Sequence, residues 1–328
     1  MTTATTQRDA SAGAPPDLKK MTAIILGIPV IIGLMLWAFL GPSFASGPKD
    51  VPIAIAGPDQ VVTKISEGAR GTAGDDAPEL TTHESEEAVR DAIMHRDVVG
   101  GIVLGPQGAT AYTASGNGAP YTAMIEGIAG TLEAQGMPVE YKDLAPTTPE
   151  DPQATGLAML ALPLAFGGII SAVLATLLFR GQKWAKLAVV TGIAVLGGLV
   201  VTWMLHSVFG TLAGSFALEW LATSMGILAT SMLTAGLAAL IGILGIGIGA
   251  VLTLFVGNPL SGLATGPWLL PHIGALIGQW MPIGATGHLI RSLSYFDGQG
   301  AQHAWWVLIA WIAAGFLMLL FDRSGNTK

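Results

Sequence analysis

The sequence predicts a mixed fold: an α-helical polytopic membrane domain of six transmembrane helices plus a re-entrant outer hairpin, with an inserted extracytoplasmic α/β domain. Three observations predict it. The 328-residue chain is 51% hydrophobic and 11% charged, where an average soluble domain has about a quarter of its residues charged. No Asp, Glu, Lys or Arg lies between Trp220 and Ile290. From Gly41 to Pro152 that composition reverses: the segment holds 17 of the 22 acidic residues against 6 of the 15 basic ones, and its apolar residues come in short runs. With no cysteine in the chain, disulfide staples, thiol catalysis and Cys-based metal sites are excluded. Nucleic acid is not expected as a partner, and no cofactor is expected.

Residues 1–20 are rich in Thr, Ala, Ser and Pro without an apolar period, and read as a disordered cytoplasmic tail. The run Met21–Leu40 follows Lys19 and Lys20; about 20 residues at 1.5 Å each match a bilayer core of roughly 30 Å, so 21–41 is the first transmembrane helix. A cleaved signal peptide is the competing reading, with Ser43-Phe44-Ala45 as a loose small-x-small site, but a signal core is usually only about 7–15 residues.

Residues 42–152 form the extracytoplasmic domain. Its pattern predicts strands at Val51–Ala56, Leu80–Thr82, Val98–Leu104, Ala109–Ala114 and Val139–Leu144. Helices are expected at Gln60–Glu67, Glu84–Met94 and Pro120–Gln135. Alternating strands and helices imply a small sheet in an α/β sandwich, and Gly71–Pro78 reads as a loop. His83 and His95 lie near Glu84, Glu86, Glu87 and Asp91, yet without metal-ligand spacing, so a solvated helix face is the better reading. Gly116-Asn117-Gly118 lacks the Lys-Ser/Thr of a phosphate loop and reads as a plain turn.

The membrane domain, 153–323, begins after the linker Pro146–Pro152. Ala154–Phe179 is the second crossing, with Pro163, Gly167 and Gly168 offering a kink or a close helix contact. Arg180, Lys183 and Lys186 make a short basic loop, and Leu187–Leu205 is the third crossing. Leu218–Val256 is long enough for two crossings joined near Ala239–Gly242; Trp305–Phe321 is the last, and 324–328 a cytoplasmic tail. Of nine Lys and Arg outside the soluble domain, eight fall in the tails and the 180–186 loop. The positive-inside rule then puts both termini in the cytoplasm and residues 42–152 outside. Trp37, Trp220, Trp268, Trp280, Trp305 and Trp306 fall near the outer boundary, where amphipathic rings anchor well.

The segment Gly257–Gly298 is interrupted by Pro259, Pro267, Pro271 and Pro282, so it cannot be one crossing helix. It reads as a re-entrant element over 258–298, and irregular backbone at membrane depth survives only where protein or a watery cavity satisfies it. That makes Pro259, Trp268, Pro271, His272, Pro282 and Arg291 the candidate substrate pathway. Ion coupling is disfavoured, because the only ionisable candidates at the span edges, His206, Glu219, His272 and His288, fall near the outer boundary. GxxxG spacings at Gly245/Gly249, Gly262/Gly266 and Gly274/Gly278 would let helices approach closely.

The whole layout resembles the ABC-2-type export permeases, and more closely their YhgE/Pip-like (phage infection protein-like) branch. The resemblance is carried by GNPLSG at Gly257–Gly262, Pro267, Leu270-Pro271, Met281–Ala285 (MPIGA), Arg291 and Tyr295-Phe296, with Asp143–Pro146, Asp151-Pro152 and Leu162-Pro163 earlier. It implies a bacterial plasma-membrane protein, a homodimer or paired half-transporter in contact with membrane lipids. Such a protein moves lipidic or amphipathic material outward with a separate cytoplasmic ATPase, since the chain has no Walker loop. Arg180, Lys183 and Lys186 would be the ATPase-docking loop, although this loop is shorter than a family coupling helix, and a Pro/Ala/Thr-rich tail replaces the usual amphipathic helix. The alternative is a non-transporting membrane scaffold or surface receptor, phage infection protein-like or an accessory of a secretion system. An enzyme ranks third: no nucleophile, base and orienting group fall at recognisable spacing.

Overall fold

The computed structural model describes residues 17–44, 47, 50–74 and 77–322. The tail expected at 1–20 lies outside these residues except at 17–20, as does the tail at 324–328; of the loop expected at 71–78, residues 71–73 are instead helical. The first helix, α1 (Leu18–Phe44), starts earlier and ends later than expected. It exposes apolar side chains such as Leu26, Val30, Leu34 and Trp37.

The α/β domain contains β1 (Pro52–Ala56), α2 (Asp59–Ala73), β2 (Glu79–Thr82), α3 (Glu86–Met94), β3 (Gly101–Gly105), β4 (Gly108–Thr113), α4 (Ala119–Ala134) and β5 (Val139–Asp143). The sheet order is β2-β1-β3-β4-β5. Parallel neighbours need a crossover: α2 supplies it for β1–β2, the stretch through α2, β2 and α3 for β1–β3, and α4 for β4–β5. The one antiparallel pair, β3–β4, is a hairpin in which Gly105 faces Gly108 across Pro106-Gln107.

Strand alternation divides the core. Ile53 packs with Tyr121, Ile125 and Ala129 of α4, and Ile55 with Val62 of α2 and Leu132 of α4. Ala54 and Ala56 face the other way, into the cluster that holds Val89, Ala92 and Ile93 of α3. Ser85 caps α3 by accepting from the Ala88 N–H at 3.2 Å, with Glu86 and Glu87 in the first turn where the helix dipole favours them. β3 begins at Gly101 and not at Val98. The three residues before it already lie along β1, with Val99 N–H donating to Pro52 O at 2.9 Å and Gly100 O accepting from Ala54 N–H at 3.0 Å.

The membrane part holds α5 (Thr155–Met159), α6 (Ala161–Leu178), α7 (Lys183–Trp203), α8 (Phe216–Ile241), α9 (Ile243–Val251), α10 (His272–Trp280), α11 (Pro282–Tyr295) and α12 (Gln302–Leu320). Among the described residues four helical stretches are long and apolar enough to cross a membrane: Thr155–Leu178, Lys183–Val208, Phe216–Ile241 and Gln302–Leu320. Ile25–Gly41 and Ile243–Gly257 are shorter apolar stretches. The expected split of Leu218–Val256 falls at Gly242, whose φ of 69° ends α8. The half after it is too short for the full crossing assigned to it, at about 1.5 Å of rise per residue.

The hub is α8, which packs against α6, α7, α9, α11 and α12. Its polar side chains turn inward, and all but Ser224, whose Oγ has no partner, are satisfied there. Thr223, Thr230, Ser231 and Thr234 donate to carbonyls one turn back. Ser171 bonds Ser231 at 2.6 Å, and Thr202 bonds Thr223 at 3.1 Å. Small residues permit this approach: a Cβ on Gly168 would come within 2.4 Å of Thr230, and one on Gly315 within 2.4 Å of the Met232 carbonyl.

The α/β domain and the basic loop sit at opposite ends of this bundle. At the start of α7, Lys186 pairs with Asp322 beyond the end of α12, Nζ to Oδ2 at 2.7 Å. Past the other end of α7, Gly210 lies against Glu150 of the linker leaving the α/β domain, and Thr211 O accepts from Tyr295 Oη at 2.7 Å.

Candidate functional site

Residues 257–298 fold back on themselves in two short helices, α10 and α11. Pro271 precedes α10 and Pro282 opens α11, where a missing N–H costs nothing. Between the helices Met281 is extended, with φ −88° and ψ 151°. The pieces touch backbone to backbone: a Cβ on Gly278 would lie 1.6 Å from the Leu260 carbonyl oxygen, and one on Gly284 2.1 Å from the Gly278 carbonyl. Of the three GxxxG pairs, Gly245 and Gly249 make such approaches to the backbone of Leu237 and Thr234 in α8, while in Gly274/Gly278 only Gly278 does, Gly274 meeting the Leu260 side chain. Gly262 and Gly266 have another use. With φ of 67° and 83° they bend the loop before α10, which L side chains resist.

Two arginines lock this hairpin to the α/β domain in opposite directions. Arg291 of α11 donates from Nη1 to Asn117 O at 2.8 Å and from Nη2 to Leu263 O at 3.0 Å. Arg96, just past α3, donates from Nη1 to His288 O at 2.9 Å and Ser292 Oγ at 2.7 Å. Its guanidinium also lies 5.2 Å from the Phe296 ring centroid. The left-handed backbone of Arg96, φ 64°, is one that only surrounding contacts sustain. Both side chains are 4% exposed. Burial first, then the neighbouring Arg291, pushes Arg96 down to about 9.

The turn read from Gly116-Asn117-Gly118 is the docking point. Gly116 lies against Tyr295, where a Cβ would come within 2.6 Å of that side chain, and its N–H donates to Ala145 O at 2.8 Å. Nearby, Glu219 is buried with a full set of donors: His206 Nδ1 at 2.7 Å, Gly214 N–H at 2.9 Å and Ser294 Oγ at 2.7 Å. It ties the end of α7 to α8 and α11 at the end of the bundle nearest the α/β domain, and such pairing is what a buried carboxylate requires.

The six expected pathway residues do not converge. Pro271 and His272 are exposed, Pro259 and Trp268 half-buried, Pro282 and Arg291 buried. Trp268 stacks edge-on against Tyr121 of the α/β domain, centroids 6.0 Å apart. Of the six, Arg291 lines a small cavity of about 10 Å³, together with Arg96, Ser261, Leu263, Gln279 and His288. In the basic loop Arg180 is exposed and Lys183 half-buried, whereas Lys186 is 1% exposed and engaged with Asp322. His95 Nδ1 lies 2.9 Å from Asp91 O, and no metal-holding group of His, Asp and Glu occurs among the described residues. Sequence reasoning missed Arg96 and Asn117, whose partners lie far along the chain and leave no local pattern. No protein-family model, curated protein or solved structure matches the chain.

Proposed function

We propose that the chain is a membrane subunit of an ABC-2-type export permease, moving a lipidic or amphipathic substrate outward with a separate cytoplasmic ATPase. The observation that carries this reading is the broken segment 257–298: two short helices, α10 and α11, folded against each other beneath the α/β domain. The tightly filled hairpin leaves no substrate-sized passage beside Arg291, so the passage belongs between two copies, as in a homodimer. Arg180 and Lys183 remain the ATPase-docking groups, and Lys186 is reassigned to holding α7 against the chain end after α12. Export is tested by co-purification with an ATPase whose hydrolysis responds to this protein. Arg180→Glu with Lys183→Glu should weaken both, and an unchanged complex with unchanged hydrolysis sinks the mechanism.

The same filled hairpin favours a second reading, a non-transporting scaffold or surface receptor of the cell envelope that presents the acidic α/β domain. In-cell crosslinking through that domain should then capture an envelope partner. Capture of none, alongside a responsive ATPase, decides for export.

A further inference from the structure

The cavity between Arg96, the loop 261–267 and α11 presents a charge problem that the described residues do not solve. Arg96 and Arg291 both line it, and both are buried. Their hydrogen bonds go to neutral acceptors, the carbonyls of His288, Asn117 and Leu263 and the hydroxyl of Ser292. Neither has a carboxylate within ion-pair distance among the described residues. Asp97 and Asp297, close in sequence, are exposed. Each guanidinium also keeps an Nε–H with no acceptor. Arginine stays protonated at neutral pH, and two buried like charges without a counter-charge are strongly unfavourable. A buried water could accept from the two Nε–H groups, but it would leave the charge in place.

Size selects the occupant. At about 10 Å³ the cavity admits roughly one water-sized particle. A phosphate, sulfate or lipid headgroup far exceeds that space, and a single-atom anion, only slightly larger than a water, comes nearest to it. We infer that Arg96 and Arg291 hold one buried halide, chloride under ordinary conditions, which neutralises the joint between the α/β domain and the outer hairpin. The anion is a structural ligand here: it accepts from the Nε–H of each arginine and lets both stay charged while they clamp opposite partners. The inference is independent of whether the protein exports anything.

The test uses the full chain purified in detergent, dialysed into sodium gluconate, with thermal unfolding followed by tryptophan fluorescence. Chloride added at constant ionic strength should raise the unfolding midpoint saturably. Chloride at a hundred times its Kd should raise the folded-to-unfolded ratio about a hundredfold. Bromide should substitute, while sulfate and phosphate should not. Radioactive chloride should bind at about one per chain. Identical midpoints in chloride and gluconate overturn the inference, as does equal protection by phosphate. Arg96→Gln with Arg291→Gln should abolish the chloride response, and a response that persists in this variant also overturns it. Should the double variant fail to fold, chloride binding to the unaltered protein still decides: no bound chloride refutes the site.

Discussion

The guanidinium of Arg291 reaches the carbonyl of Asn117 at 2.8 Å, joining residues 174 positions apart. Its second arm takes the Leu263 carbonyl at 3.0 Å, so one side chain fixes the hairpin loop and the α/β domain at once. Arg291→Met strands both carbonyls in a buried site, and each buried polar group left unmade costs about 1–3 kcal/mol. A loss on the order of 3 kcal/mol is expected in denaturant unfolding, with faster hydrogen exchange at residues 115–118. Arg291→Lys keeps the charge but loses the fork; a lysine variant as stable as the parent would show that the fork is dispensable.

Lys186 and Asp322 form a pair that is 1% and 2% exposed. Removing one partner of a buried ion pair is strongly destabilising, typically by about 3–5 kcal/mol. Lys186→Met and Asp322→Asn should each destabilise by that order, and the double variant by clearly less than the sum. Additive losses in the double-mutant cycle would show that the two do not act as a pair. On the export reading proposed above, Lys186→Met should change association with the proposed ATPase only as far as it changes folding, whereas Arg180→Glu should do the reverse.

What could be read from the sequence follows the range of the interaction. The strands, helices and broken hairpin declare themselves through periods of two and 3.6, proline placement and composition, all local. Gly242 and Pro282 break the chain where their backbone chemistry requires it. The clamp is not local: Arg96 bonds a carbonyl 192 residues away, and nothing around it marks that reach. The setting of Lys186 is hidden from the sequence for a related reason. Beside Arg180 and Lys183 it looks like part of a solvated basic loop, but α7 begins at Lys183 and its turn carries Lys186 inward. The glycines spaced as GxxxG pairs divide between helix contact and loop bending, a difference that depends on φ and not on spacing.

Burial pushes the phenols of Tyr112 and Tyr121 up to about 12, from about 10 in an unfolded chain. At Tyr112 the hydroxyl also donates to the Glu86 carboxylate. Because the folded value lies above the unfolded one, the stability these groups carry is complete below pH 10 and is lost as pH rises through about 12. Stability measured in denaturant from pH 9 to 12 should therefore fall, and Tyr112→Phe should make the fall shallower. An identical pH profile in that variant would remove Tyr112 from the account.

The hairpin's reliance on absent side chains makes the last prediction the sharpest. At Gly278 an added methyl would overlap the Leu260 carbonyl at 1.6 Å, a backbone atom that cannot rotate away, whereas at Gly192 on α7 nothing lies within 4 Å. The same substitution should then have opposite effects at the two sites. Gly192→Ala should be neutral or stabilising by a few tenths to about 1 kcal/mol through the stiffer unfolded chain. Gly278→Ala must separate α10 from the loop holding Leu260, and overpacking of this kind costs about 1–3 kcal/mol or more. Because Leu263 of that loop accepts from Arg291, the damage should travel: Gly278→Ala should also speed hydrogen exchange at Asn117 and Gly118, across the joint. Local loosening confined to 258–284, with the docking turn as protected as before, would mean that the hairpin and the α/β domain are held together by something other than the two arginines.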